Sequence, residues 1–404
     1  MTAANFVVKT VLGMQDDGKL SNANSIAVLY RTNAQSRAIE ESCVQYNLPY
    51  VVRGSAGAFY NRAEIKDVMC FLRWLNNGRD LSSMQRAFGT PSRGIGGKSV
   101  EGFQAYCDRV RDYYTAQGAP NPPSPFELLL AMTDEAAFEP IPGTPVAADC
   151  LATRALNKFL PFSKQMNLLN HEAQTADLPD LISFLLEEFG FKSHVDSISK
   201  SAAEFEDRWN NVQELKQASL KYKGVAMQPK SAALPNASDS AAEGVLDMDD
   251  LSTPLGDFLD DIALVSDLSE RNNDDEADQD EEKPLKVNLM TVHAAKGMEF
   301  DLVFVVGLEE GTFPTNRAVM EGESSTELDE ERRLMYVAMT RAKNQLIMTW
   351  RREVMVFSTD ATSRAVTIDK ERSRFLDVLT TGNNQNSHRG GGGGGGGRGG
   401  GVKG

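Results

Sequence analysis

Ser25 to Thr32 reads SIAVLYRT, an apolar run closed by polar residues, and it ties the two ends of the chain into one folding problem. Ile26 through Tyr30 lacks the polar alternation of a half-solvated strand, so the pattern predicts a strand buried on both faces. Asn33–Tyr46 follows with helical spacing through Ala34, Ala38, Ile39 and Val44, and Leu48–Val52 reads as another strand. Strand, helix, strand is a parallel α/β unit. Comparable strand signals return only far downstream, at Val287–Thr291 and Leu302–Val306, followed by a helix over Leu328–Ala342 and a strand over Gln345–Trp350. The simplest topology is one α/β domain interrupted by a long insertion.

The insertion begins as an all-α block. Helical spacing runs through Ala63–Leu75, Phe103–Tyr114, Pro125–Thr133, Cys150–Asn170, Leu178–Phe189 and Ala203–Tyr222. Gly224 to about Pro254 is rich in Ala, Ser, Pro and Asp and reads as a mobile loop, with a short amphipathic helix over Pro254–Leu268 behind it. The N-terminal segment reads as a helix with Phe6, Val7, Thr10 and Val11 on one face. The expected organisation is residues 1–60 and 285–380 as a discontinuous α/β domain, 61–223 as the helical insertion, 224–284 as an acidic loop and 381–404 as a disordered Gly/Arg tail.

The net charge of −15 would argue against nucleic acid if it were spread evenly. It is concentrated instead between Asp247 and Glu282, where Asp274-Asp275-Glu276 and Asp280-Glu281-Glu282 form a solvated block. Cys43, Cys70, Cys107 and Cys150 lie far apart with no CxxC, which disfavours a metal site or a disulfide framework. No apolar run reaches the roughly 18–20 residues needed to span a bilayer. The N-terminus has neither a secretory core nor an arginine-rich transit pattern. The expectation is a soluble intracellular protein, in nucleus or cytoplasm, with an organelle not excluded. The tail, with Arg389, Arg398 and Lys403 among its glycines, reads as an inert end in preference to a nucleic-acid-binding one.

Two segments carry chemistry. Met290–Phe300, MTVHAAKGMEF, reads as a strand passing through a loop into a helix, a junction that presents backbone N–H groups to a phosphate. Thr291 can donate a hydrogen bond, His293 can stack, Gly297 permits close approach and Glu299 can accept from a ribose hydroxyl. An ordinary strand with a capped helix would share much of this pattern. Leu328–Lys343, LDEERRLMYVAMTRAK, reads as an amphipathic helix with Leu328, Leu334, Met335 and Val337 inward and its charges outward. Arg341 at its end can reach a phosphate on a neighbouring domain, although a surface salt bridge is the commoner use of a single arginine.

These segments, in their order, resemble the UvrD/PcrA/Rep family of superfamily 1 DNA helicases from near Ala3 to about Leu379. Val287–Phe300 is similar to the family's fifth motif and Glu330–Lys343 to its sixth. Ile26–Arg37 resembles its signature stretch early in the second RecA-like domain. Asn61–Leu75 resembles the start of the inserted helical domain, and Pro91–Gly96, PSRGIG, its GIG loop. Gly307–Arg317 and Ser373–Leu376 resemble further blocks. Met298 and Ala338 stand where the family usually has leucine and glycine. The resemblance implies a RecA-like, P-loop NTPase-type α/β domain acting with ATP and Mg2+. It implies that Arg341 meets the γ-phosphate while Gly297 and Glu299 line the nucleotide. It implies single-strand contacts by Arg31, Asn33, Thr291, His293 and Phe375. Duplex contacts would come from the GIG loop, with Gly94 and Gly96 allowing approach and Arg93 and Lys98 supplying charge.

One part of such a motor is not encoded here. Ser92–Ser99, SRGIGGKS, is the nearest approach to a P-loop, but serine replaces its first glycine and it lies among helices. No apolar strand ends in Asp-Glu for magnesium. The expectation is therefore the C-terminal portion of an ATP-dependent 3′-to-5′ DNA helicase of repair or replication, inactive alone, its first RecA-like domain supplied in cis or in trans. The rival of another class is a non-catalytic DNA-binding or regulatory module, which would need neither Glu299 nor Arg341. A helicase–nuclease subunit would need a further acidic cluster after Trp350, which is not there.

Overall fold

In a computed structural model of the chain, residues 2–21, 25–54, 58–134, 137–227, 253–274, 285–322, 325–357 and 365–377 are described. Seven strands lie among them: β1 Ile26–Tyr30, β2 Tyr50–Val52, β3 Val287–Thr291, β4 Phe300–Val305, β5 Ala342–Met348, β6 Glu353–Phe357 and β7 Ala365–Asp369. The first five form one sheet in the order β2-β3-β1-β4-β5, every neighbouring pair parallel. Strands from the two ends of the sequence thus interleave. Ile26 pairs with Val287 on one side and Leu302 on the other.

β1 is buried at every position because both faces of the sheet are covered. Ile26, Val28 and Tyr30 pack on one side with Val7, Val8 and Val11 of α1 (Ala3–Asp16) and Ile39 and Cys43 of α2 (Ser36–Gln45). Ala27 and Leu29 face the other side. Their core partners are Leu334, Met335 and Ala338, on a helix that follows β4. In α1 the buried stripe is Ala4, Val7, Val8 and Val11, so Phe6 turns outward from the face expected of it.

Between β2 and β3 the chain is helical: α3 Ala63–Asn76, α4 Leu81–Gly89, α5 Gly97–Ala116, α6 Pro125–Leu130, α7 Thr153–Ala173, α8 Leu178–Glu188, α9 Phe191–Ile198, α10 Ala202–Ser219 and α11 Pro254–Asp274. Their core is aromatic. Trp74, Phe88, Phe103, Phe159 and Phe162 are buried and meet mainly edge to face, an arrangement favoured by the ring quadrupole. After β4 come α12 Asn316–Met320 and α13 Thr326–Met339, then β5 and the antiparallel β6–β7 ribbon, and a helical turn over 374–377 ends the described part. This is a parallel-sheet α/β fold with a helical insertion. Most of the 224–254 loop, the acidic run from Asp275 to Glu282 and the Gly/Arg tail lie outside the described residues. Among those described, no helix is long and apolar enough to cross a membrane.

Candidate DNA and nucleotide sites

Parallel strands place all their C-terminal ends on one edge of a sheet. β1 and β3 are neighbours whose last residues, Tyr30 and Thr291, are in register. Arg31, Asn33, Thr291 and His293 therefore emerge side by side, although they come from opposite ends of the sequence.

Arg31 is held by two separate devices. Its backbone N–H and that of Thr32 both donate to Oε1 of Gln35 at 2.9 Å, while Gln35 Nε2 donates to the carbonyl of Val306 at 3.5 Å. The loop after β1 is thereby stapled to the end of β4. Gly307 fits beside this staple because a Cβ there would lie 1.9 Å from Gln35 Nε2, and its φ of +76° also disfavours a side chain. The guanidinium is gripped side-on by Glu331 of α13. Nε donates to both carboxylate oxygens at 3.0 Å and Nη2 to Oε1 at 2.8 Å. Thr315 donates to the same oxygen at 3.3 Å, and Glu331 is 4% exposed. Nη1 of Arg31 has no hydrogen-bond partner among the described residues.

The other members of this edge are fixed through their backbones and leave side chains outward. The Asn33 carbonyl accepts from Arg62 Nη1 at 2.8 Å. Thr291 Oγ1 accepts from the Ala294 N–H at 3.3 Å, which leaves its hydroxyl proton to donate elsewhere. Loss of hydration and then the Arg31 charge hold His293 below the usual imidazole range, though its side chain keeps contact with solvent. Asp207 of α10 lies across this edge, close enough to feel both Arg31 and His293, and burial pushes its carboxyl up. Glu214 of the same helix pairs with Arg37 at 2.7 Å. Between α10, the start of α1, α12 and this edge lies a cleft of about 1790 Å³ whose walls include Arg31, Arg37, Asp207, Glu331 and Trp350.

A second group gathers at the opposite edge. Residues 292–299 run from the C-terminal end of β3 to the N-terminal end of β4 as consecutive turns, so the helix expected after Gly297 does not form. Gly297, at φ +85°, departs from right-handed helical geometry, and Phe300 enters β4 directly. No helix dipole points at a phosphate here. The N–H of Phe300 donates to the carbonyl of Arg341 at 2.8 Å, which joins the starts of β4 and β5. Arg341 Nη1 donates to the Met298 carbonyl at 2.8 Å and Nε to the Val337 carbonyl at 3.1 Å. Among the described residues Arg341 meets no carboxylate, and neither Glu299 nor any nearby base forms an ion pair with the other. Gly297, Glu299 and Arg341 thus form one patch in which the guanidinium meets only neutral oxygens, those of Met298, Val337 and Thr340, and neither charged group has an ion-pair partner among the described residues. That donor set fits one side of a nucleotide, phosphate at the arginine and ribose hydroxyl at the glutamate. Among the described residues no cluster of three or more metal-ligating side chains accompanies it.

The remaining expected residues divide. Gly94 and Gly96 are exposed on the loop before α5 and Lys98 in its first turn, with Gly94 at φ +71° and its carbonyl accepting from Lys158. Arg93 turns inward. Its guanidinium lies 4.7 to 5.7 Å from the ring centroids of Phe162, Phe189 and Phe71 and donates to the carbonyls of Ala87, Thr90 and Pro91. Exposed charge here comes from Lys98. Phe375 is 7% exposed and packs edge to face on Phe313, within the core under the sheet.

Sequence reading misses Glu331, grouping it with the outward charges of α13. Leu328, Glu331 and Met335 share the helix's buried stripe, so its spacing carried the signal. Gln35 and Asp207 are missed as well. Gln35 had a local signal, since Thr32-x-x-Gln35 is a capping-box pattern; nothing local marks Asp207, because Arg31 and His293, whose charges it feels, are distant in sequence.

A profile of the UvrD-like helicase C-terminal domain matches residues 2–353. The ATP-dependent DNA helicase PcrA of Leuconostoc citreum is 31% identical over 347 residues, covering 86% of this chain and 38% of that protein. PcrA proteins of Staphylococcus epidermidis and Staphylococcus aureus are each 32% identical, over 346 and 354 residues, which is 86% and 88% of this chain. The chain spans about two fifths of the length of these curated relatives, 38% to 40%.

Proposed function

Because the chain belongs to the UvrD-like helicase C-terminal domain family, we propose that it supplies the second RecA-like domain of an ATP-dependent DNA helicase. The observation that carries this reading is the separation of two polar groups across one sheet: Arg31, Asn33, Thr291 and His293 at one edge, Gly297, Glu299 and Arg341 at the other. Arg31 and His293 hold the phosphates of a single strand, and Asn33 and Thr291 add neutral hydrogen bonds that position it. Arg341 meets oxygens of a terminal phosphate and offsets charge that develops there, while Glu299 accepts from the ribose. ATP with magnesium, held by a P-loop domain in cis or in trans, supplies the free energy that drives closure of the two domains. Translocation from 3′ to 5′ along one strand follows from repeated closure, in repair or replication.

The test uses the purified 404-residue chain and a fluorescent oligodeoxythymidine. The chain binds the strand, and its affinity falls with salt at a log–log slope of about −0.7 per phosphate neutralised. Arg31→Ala weakens binding by about tenfold, the loss of one charged contact. ATP is not hydrolysed, because the chain offers no P-loop lysine and no magnesium carboxylate of its own. Absence of single-strand binding, or DNA-stimulated hydrolysis by this chain, refutes the reading.

A further inference from the structure

Glu331 is a buried carboxylate that grips Arg31 at the strand-side edge, and the single-strand reading just given assigns it nothing. We propose that Glu331 is a positioning residue which orients Arg31 toward the strand and makes occupancy of that arginine felt at Arg341. This rests on the reading of Arg31 as a strand contact.

The geometry has two parts. First, a guanidinium gripped through Nε and Nη2 is fixed in plane and direction, and its remaining edge, Nη1, is the one turned away from the carboxylate. A flexible arginine would sacrifice rotamer freedom on binding a phosphate; one already clamped does not. The carboxylate is itself fixed, by the Thr315 hydroxyl and by burial, so the clamp has little slack. Second, Glu331 lies near the start of α13, and the same helix delivers Arg341 just past its last turn. Arg341 is tied back to that turn through Val337 and across to the nucleotide-side loop through Met298. A hydrogen-bonded helix is stiff, so a pull at Glu331 reaches the far edge of the sheet, roughly 15 Å away at 1.5 Å per residue. A phosphate arriving at Nη1 competes with Glu331 for the guanidinium charge, and the adjustment falls on α13.

The experiment compares the 404-residue chain with E331Q, E331D, R31A and R31A/E331Q. It reads oligodeoxythymidine affinity and amide hydrogen exchange at residues 337–341, with thermal melts to show that each variant is folded. E331Q weakens binding by about tenfold. E331D, which keeps the charge but shortens its reach, acts in the same direction. In the R31A background E331Q adds little, and the exchange protection that the strand confers on residues 337–341 in the wild type is lost in E331Q and in R31A. An E331Q penalty that persists undiminished after Arg31 is removed, or unchanged affinity and protection in E331Q, overturns the proposal. If the wild-type chain does not bind the strand, the single-strand reading itself falls, and the proposal with it; that result is distinct from a wild type that binds and an E331Q that binds equally well.

Discussion

Burying a guanidinium costs hydration that must be replaced by acceptors and aromatic faces. Arg93 is surrounded by three phenylalanine rings and three carbonyls, and burial pushes its pKa down to about 10 without removing the charge at neutral pH. Arg93→Ala is expected to cost about 2–4 kcal/mol of the helical block's stability, read as a shift in the denaturant midpoint, because it leaves the carbonyls and ring faces unpartnered. His293 gives a prediction of another kind. Its folded pKa is lowered, so it is neutral at pH 7 and any stability it contributes is lost as pH falls through the range below 6.5. A bound phosphate favours the charged form, so strand affinity rises as pH falls from 7.5 to 5.5. Asp207, its carboxyl pushed up, works in the same sense, while Arg31 opposes protonation and Glu330 and Glu331 assist it. His293→Ala flattens most of that pH profile; a profile unchanged by the substitution places the titration elsewhere. Both residues show a limit of sequence reading. A motif names the residue type but not where its side chain turns, so Arg93 was read as outward and Glu331 as solvated.

At the scale of elements, pattern and structure agree wherever burial is one-sided or complete. β1 was legible because its two neighbours and the helices on both faces demand an unbroken apolar run. α13 was legible through its stripe, although it begins at Thr326 and ends at Met339. α4 and α9 were missed because each is short and takes its order from tertiary packing. α5 starts at Gly97, ahead of the expected Phe103, because its first turn is polar and exposed. The β6–β7 ribbon was missed too; Val366 and Ile368 remain exposed there, so these apolar residues of β7 follow no burial pattern. The turn after β3 deceived differently, since a short helix and a chain of turns share the same small residues. The staple between β1 and β4 is testable at this scale. Gly307→Ala must both adopt a left-handed φ and displace Gln35, so it is expected to cost about 2 kcal/mol or more, seen as a lowered melting temperature. A melting temperature equal to wild type would mean that Gln35 moves aside freely.

Over the whole molecule, one sheet built from both ends of the sequence separates the edge proposed to hold a strand from the edge proposed to meet a nucleotide, and α13 spans the distance between them. That arrangement accords with the proposed role: the residues assigned there to a strand and to a nucleotide lie on opposite edges, while no P-loop and no apolar strand ending in Asp-Glu is found in these 404 residues. Removing the Arg341 side chain takes away a proposed nucleotide contact and leaves the Arg31–Glu331 clamp in place. The most direct test pairs the chain with a P-loop-bearing RecA-like domain and compares wild type with Arg341→Ala, measuring ATP hydrolysis and oligonucleotide affinity on the same samples. The account predicts that DNA-stimulated hydrolysis falls by about 10³-fold or more, as for loss of an arginine finger, while affinity for the single strand stays within about twofold. Hydrolysis that survives the substitution, or strand binding lost along with it, would contradict the account.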